Sequence, residues 1–149
     1  MELEGLDEAA LETLAAKVAS TLQRGDVVVL AGEVGSGKTT FVRSAALALG
    51  VRERVTSPTY QLARGYEGFA DGVPVTVNHL DLYRLEGLEE QDALEIDDYL
   101  DPESITFVEW AEPALGLINN PTVVRIYDQT PAMRRVSMTG PAAERLSVC

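Results

Sequence analysis

Gly32-Glu33-Val34-Gly35-Ser36-Gly37-Lys38-Thr39 is a complete GxxxxGK[ST] loop. It lies between the apolar run Val27–Ala31 and a helix-like stretch over residues 40–49. Strand, glycine-rich loop and helix in that order form a phosphate cradle. The glycines let the backbone turn its N–H groups inward, and the following helix adds the positive end of its dipole. The spacing therefore predicts a nucleoside triphosphate as ligand, with Lys38 reaching the β- and γ-phosphates and the Thr39 hydroxyl joining a Mg²⁺ shell. The expected binding stretch is Glu33, Val34, Gly35, Ser36, Gly37, Lys38, Thr39 and Thr40.

Working outward, residues 7–24 carry Leu11, Leu14, Ala15, Val18 and Leu22 at helical spacing, with Asp7 as cap and Gly25 as stop. A buried strand is expected at 26–31 and a helix at 39–49, stopped by Gly50. Segments 60–66 and 73–80 read as the arms of a long hairpin around a loop containing Gly68, Asp71, Gly72 and Pro74. Short helical turns follow at 87–100, a buried strand at 104–110, and two more strands at 122–128 and 134–139. Alternating strands and helices favour an α/β fold with the ligand at the carboxyl ends of the strands. The expectation is a mixed sheet of phosphate-loop NTPase type with flanking helices and an inserted hairpin, in one domain over residues 1–149.

Composition narrows the function. At 149 residues and 46% hydrophobic the chain can bury a real core, and no apolar stretch approaches the roughly 20 residues of a membrane span. The acidic start and the single cysteine, Cys149, fit neither a secretory signal nor a disulfide framework, so a cytoplasmic location without membrane attachment is expected. A net charge of −12 argues against direct grip on nucleic acid, which needs clustered Lys and Arg. Between residues 86 and 103 stand nine carboxylates and no Lys or Arg, which suits a solvated face or a docking surface for a basic partner.

Hydrolysis asks for more than a cradle: an acidic partner for Mg²⁺ and a group that positions the attacking water. Asp81 follows the strand at 73–80, and Glu109 ends the apolar run Ile105-Thr106-Phe107-Val108 as a Walker B acid does. Each could alternatively be a turn or helix cap. Lys38, Asp81 and Glu109 are the candidate catalytic groups, and Thr39, Asp81 and Glu109 the candidate Mg²⁺ ligands. Ser57-Pro58-Thr59 sits where many phosphate-loop proteins sense the γ-phosphate, which adds Thr59 to the binding set, although Ser-Pro-Thr is also an ordinary extended turn. Arg84 reads as an arginine supplied to the transition state or as a surface partner of the acidic run. His79 has, beside any functional reading, an equally ordinary one as a partly buried strand histidine with its ring nitrogens satisfied, and Trp110 reads as core or site wall.

Four motifs in this order, the stretch around the phosphate loop, Val-Thr-Ser-Pro-Thr-Tyr, His-Leu-Asp-Leu-Tyr-Arg-Leu and Val-Glu-Trp-Ala-Glu, closely resemble the TsaE family of bacterial ATPases. The resemblance covers most of the chain. It implies ATP and Mg²⁺ as ligands, and assembly with TsaB and TsaD proteins that make threonylcarbamoyladenosine beside the tRNA anticodon. tRNA would then be met only indirectly. By position it matches Lys38 and Thr39 to the phosphate and Mg²⁺ residues, Thr59 to a switch-like threonine, Asp81 to the acid of the His-x-Asp motif and Glu109 to the acid before tryptophan. Ala111 stands where proline is usual and Glu95 where glycine is common. A nucleotide-dependent switch with little hydrolysis is the rival reading. A small-molecule kinase is disfavoured by the lack of an Arg-rich lid, and a GTPase by the lack of Asn-Lys-x-Asp.

Overall fold

The structure, a computed structural model, describes residues 1–56, 62–83 and 85–148. Its strands form one seven-stranded mixed sheet. In chain order the elements are β1 (Glu2–Leu6), α1 (Glu8–Thr21), β2 (Val27–Ala31), α2 (Lys38–Ala48), β3 (Ala63–Ala70), β4 (Val73–Asp81), α3 (Glu90–Tyr99), β5 (Ser104–Glu109), a 3-10 helix (Glu112–Leu117), β6 (Thr122–Thr130), β7 (Met133–Thr139) and α4 (Pro141–Ser147). The strand order is β1-β7-β6-β2-β5-β4-β3. The central strands β6, β2, β5 and β4 run parallel, and antiparallel pairs close both flanks.

Every residue of β5 is buried, as expected of a strand covered on both faces. Side chains alternate between the faces. Ile105 and Phe107 join Phe41, Val42, Leu14 and Val18 under α1 and α2, whereas Val108 joins Leu80, Leu82 and Ile96 under α3 and the 3-10 helix. The Asp7 side chain caps α1 by accepting from the Ala10 N–H at 2.8 Å. Among the described residues no helix is long and apolar enough to cross a membrane.

Three expectations need correction. Gly68 and Pro74 belong to strands, not to the hairpin loop: Asp71 and Gly72, with φ of 51° and 75°, make a two-residue turn between paired Ala70 and Val73. Gly68 is a glycine because α2 ends against it, and an added Cβ would lie 2.7 Å from the Leu49 carbonyl oxygen. The strand expected to run to Trp110 stops at Glu109, because Trp110 takes a left-handed φ of 56°. The edge strand β1 and the helix α4 were not expected at all. The start of the segment expected at 60–66 lies partly outside the described residues, and within them β3 begins at Ala63.

Candidate active site

Three neighbouring parallel strands deliver the chemistry. The phosphate loop leaves the end of β2, Asp81 is the last residue of β4, and Glu109 is the last residue of β5. Asp81 and Glu109 are register partners. With β5 flanked by β2 and β4, the three carboxyl ends share one crevice, where open α/β sheets bind ligands. A cleft of about 410 Å³ opens there, lined among others by Lys38, Thr39, Asp81, Tyr83, Glu109 and Trp110.

The loop is held by backbone sterics and one long-range brace. Gly32 has φ of 151°, and a Cβ there would lie 2.5 Å from the Ile126 carbonyl oxygen and 2.6 Å from Ser36 Oγ. Gly37, at φ of 111°, caps α2 and lies against Leu11 of α1. From β7, Arg134 donates through Nε to the Ser36 carbonyl at 2.9 Å and pairs with Asp128 at 3.2 Å.

Lys38 is only 5% exposed. Its Nζ donates to the Gly32 carbonyl at 2.6 Å and the Glu33 carbonyl at 3.0 Å, and lies 4.2 Å from the centre of the Trp110 ring. Tyr83 meets the same indole with ring centroids 4.9 Å apart. Burial lowers the Lys38 pKa, against the opposing pull of Glu109, Asp81, Glu33 and Glu112. Burial raises the Asp81 pKa, helped by the charge of Glu109 and opposed by the Tyr83 N–H bond and the basic groups His79 and Lys38. Asp81 Oδ1 accepts that Tyr83 N–H at 3.1 Å.

Glu109 is 3% exposed. The Thr39 hydroxyl lies 3.3 Å from Oε1 and 3.2 Å from Oε2, and His79 Nε2 lies 2.6 Å from Oε2. Thus Lys38, Thr39, Asp81 and Glu109 come together in one cleft. Val34, Gly35, Gly37 and Thr40 also line it, while Glu33 contributes its carbonyl to Lys38, and Ser36 faces a neighbouring hollow beneath the loop. Thr59 and Arg84 lie outside the described residues. His79 departs from expectation: one ring nitrogen is bonded, while Nδ1 is buried without a partner among the described residues. Sequence reasoning missed Arg134 and the contribution of Tyr83. Tyr83 stood inside a quoted motif, whereas nothing local marks Arg134.

Comparison with known proteins gives the family. A family model described as "Threonylcarbamoyl adenosine biosynthesis protein TsaE" matches residues 6–136. The chain belongs to the TsaE family. A TsaE protein of Streptomyces coelicolor, named for tRNA threonylcarbamoyladenosine biosynthesis, is 38% identical over 87% of this chain and 90% of its own length. Like-named TsaE proteins are 40% identical in Mycobacterium tuberculosis, over 67% of this chain and 62% of that protein, and 37% identical in Bacillus subtilis, over 67% and 60%. The crystal structure of Bacillus subtilis YdiB shares the fold, with a TM-score of 0.75 and 24% identity over 99% of this chain and 94% of that one.

Proposed function

We propose that this chain is a Mg²⁺-dependent ATPase that serves tRNA threonylcarbamoyladenosine synthesis as an accessory subunit beside TsaB-like and TsaD-like proteins. The observation that carries the reading is the convergence of Lys38, Thr39, Asp81 and Glu109 on one cleft at the ends of β2, β4 and β5. TsaE family membership supplies the pathway.

The donors suit the proposed ligands. A hydroxyl and two carboxylates are hard oxygen donors, too few to cage an ion, and Mg²⁺ is commonly held by such a set together with phosphate and water. Among the described residues no three His, Cys, Asp or Glu side chains form a closed metal site. Thr39, Asp81 and Glu109 would hold the ion, which when bound offsets negative charge on the phosphates. Lys38 already presents its ammonium to two loop carbonyls, so a phosphate oxygen would replace acceptors it now uses. Glu109, held between Thr39 and His79, would orient water at the γ-phosphate. Trp110 and Tyr83 line the cleft with their rings in contact, and the indole lies against the Lys38 ammonium.

At −12 net charge the isolated chain is repelled by RNA phosphates, so partner subunits would make the tRNA contact. The test is phosphate release from ATP by the wild-type chain and by Glu109→Gln, each with and without the TsaB and TsaD proteins and tRNA. Mg²⁺-dependent release that Glu109→Gln abolishes supports the reading. Nucleotide binding without release in every mixture would turn it into a binding switch.

A further inference from the structure

His79 lies inside β4, two residues before Asp81, and so shares its face of the sheet. Glu109, the register partner of Asp81, points to that face as well, as the Thr39 contact from α2 shows. The imidazole therefore sits directly behind the Glu109 carboxylate, 1% exposed, on the side away from the cleft mouth. Its Nε2 lies 2.6 Å from Glu109 Oε2, the short distance of a strong bond to a carboxylate.

The two nitrogens differ in a way that fixes the tautomer. Nδ1 is buried and has no hydrogen-bond partner among the described residues. A proton on Nδ1 would strand a donor in the core and turn the Nε2 lone pair toward carboxylate oxygen, two unfavourable contacts. With the proton on Nε2, the ring donates to Glu109 and leaves only an idle lone pair at Nδ1. We infer that His79 is the positioning residue of Glu109, its Nε2–H holding that carboxylate beside Thr39 and toward the cleft. This rests on the proposed ATPase reading. A glutamate at a strand end has three rotatable bonds, and the Thr39 hydroxyl would also serve the proposed cation, so among the described residues His79 is the group left to keep the carboxylate aimed.

His79 is the only histidine in the chain, so ¹⁵N imidazole spectra of the labelled full-length protein report it without ambiguity. The expected pattern is the Nε2–H tautomer, and an Nδ1–H tautomer overturns the inference. Three variants complete the test. The side-chain amide nitrogen of glutamine overlays Nε2, whereas that of asparagine overlays Nδ1. His79→Leu and His79→Asn are expected to lower kcat about 10- to 100-fold, as loss of a partner behind a ligand does elsewhere, with KM for ATP little changed. His79→Gln should recover most of the loss. Full kcat in His79→Leu, or equal recovery by asparagine and glutamine, overturns the assignment. Should His79→Leu fail to fold, the contrast between the two amides decides. A wild type that binds ATP yet releases no phosphate defeats the ATPase reading alone. His79 is then judged by the tautomer and by whether Mg²⁺ tightens binding of a non-hydrolysable ATP analogue in wild type and His79→Gln but not in His79→Leu.

Discussion

Asp81 and Glu109 are the terminal residues of adjacent parallel strands and stand opposite each other in register. A buried and a partly buried carboxylate on neighbouring strand ends repel each other. Burial, with Glu109 next in effect among the groups that act against ionisation, pushes the Asp81 pKa up. A cation bound between the two, as proposed for Mg²⁺, would relieve that repulsion.

The effect of that raised pKa on stability has a definite sign. A carboxyl whose folded pKa is raised contributes stability that is fully present below its ordinary value of 3.8 and lost as pH rises through the raised folded value. Asp81→Asn removes the titration, so its melting temperature should match wild type in acid and equal or exceed it at neutral pH. Mg²⁺ with nucleotide should raise the wild-type melting temperature and leave the variant nearly unmoved. Hydrolysis should fall on the order of a hundredfold. Thermal melts across pH, paired with phosphate release, check this; a variant less stable than wild type at neutral pH would contradict it.

Lys38 and Trp110 form a natural reporter, since Trp110 is the only tryptophan and the ammonium lies 4.2 Å from its ring centre. Phosphate entering the loop, as proposed, would draw Lys38 away from the loop carbonyls and change the charge at the indole. Nucleotide titration should therefore shift Trp110 emission in wild type. Lys38→Met should show a different starting emission, little further shift, and ATP affinity weaker by several kcal/mol. Because burial lowers the Lys38 pKa, its charge costs stability that is regained as pH rises from the lowered folded value to the ordinary 10.5. Lys38→Met is accordingly expected to melt no lower than wild type at neutral pH.

Much of this site was legible because its signals are local. The GxxxxGK[ST] spacing names the loop, and the apolar runs before Asp81 and Glu109 place both acids at strand ends. The features that escaped depend on partners distant in sequence. Arg134 reaches Ser36 across 98 positions through strand pairing, and Gly68 is explained only by the end of α2 passing over it. In strand β1 Gly5 puts Leu3 and Leu6 three residues apart, which breaks the alternation, and α4 spans seven residues, too few for a helical period to register. The unpartnered nitrogen of His79 has no signature along the chain.

Arg134 tests how far the loop is preformed. Its Nε bond to the Ser36 carbonyl, with the Asp128 pair behind it, ties the β7 strand to the loop. Removing a bond from a charged donor costs about 1.5 to 3 kcal/mol. For Arg134→Ala part of that should appear as weaker nucleotide affinity, roughly tenfold or less, with Mg²⁺ dependence intact. Lysine should not restore it, because one ammonium cannot reproduce a guanidinium whose Nε meets Ser36 and Asp128 while its Nη1 meets the backbone carbonyls of Thr130, Pro131 and Met133. Isothermal titration with ADP distinguishes the cases, and wild-type affinity in Arg134→Ala would show that the glycines alone shape the loop.

The acidic face around α3 is the remaining candidate contact. Within α3 only Ile96 is buried, while Leu94 is 65% exposed, beside Glu90, Glu95 and Asp98 on the outer surface. A helix so lightly packed and so charged is poorly explained by core formation, and an apolar residue amid carboxylates suits a partner that is basic around an apolar contact. Replacing Glu89, Glu90 and Asp92 with their amides should leave the fold and ATP affinity nearly unchanged, since Glu89 and Glu90 are exposed and all three stand away from the cleft. Association with the TsaB and TsaD proteins should weaken, chiefly through a slower on-rate, and wild-type association should lose its advantage as salt rises and screens the field. Stopped-flow association at low and high ionic strength separates the outcomes. A salt-insensitive rate shared by wild type and triple variant would move the interface elsewhere on the molecule.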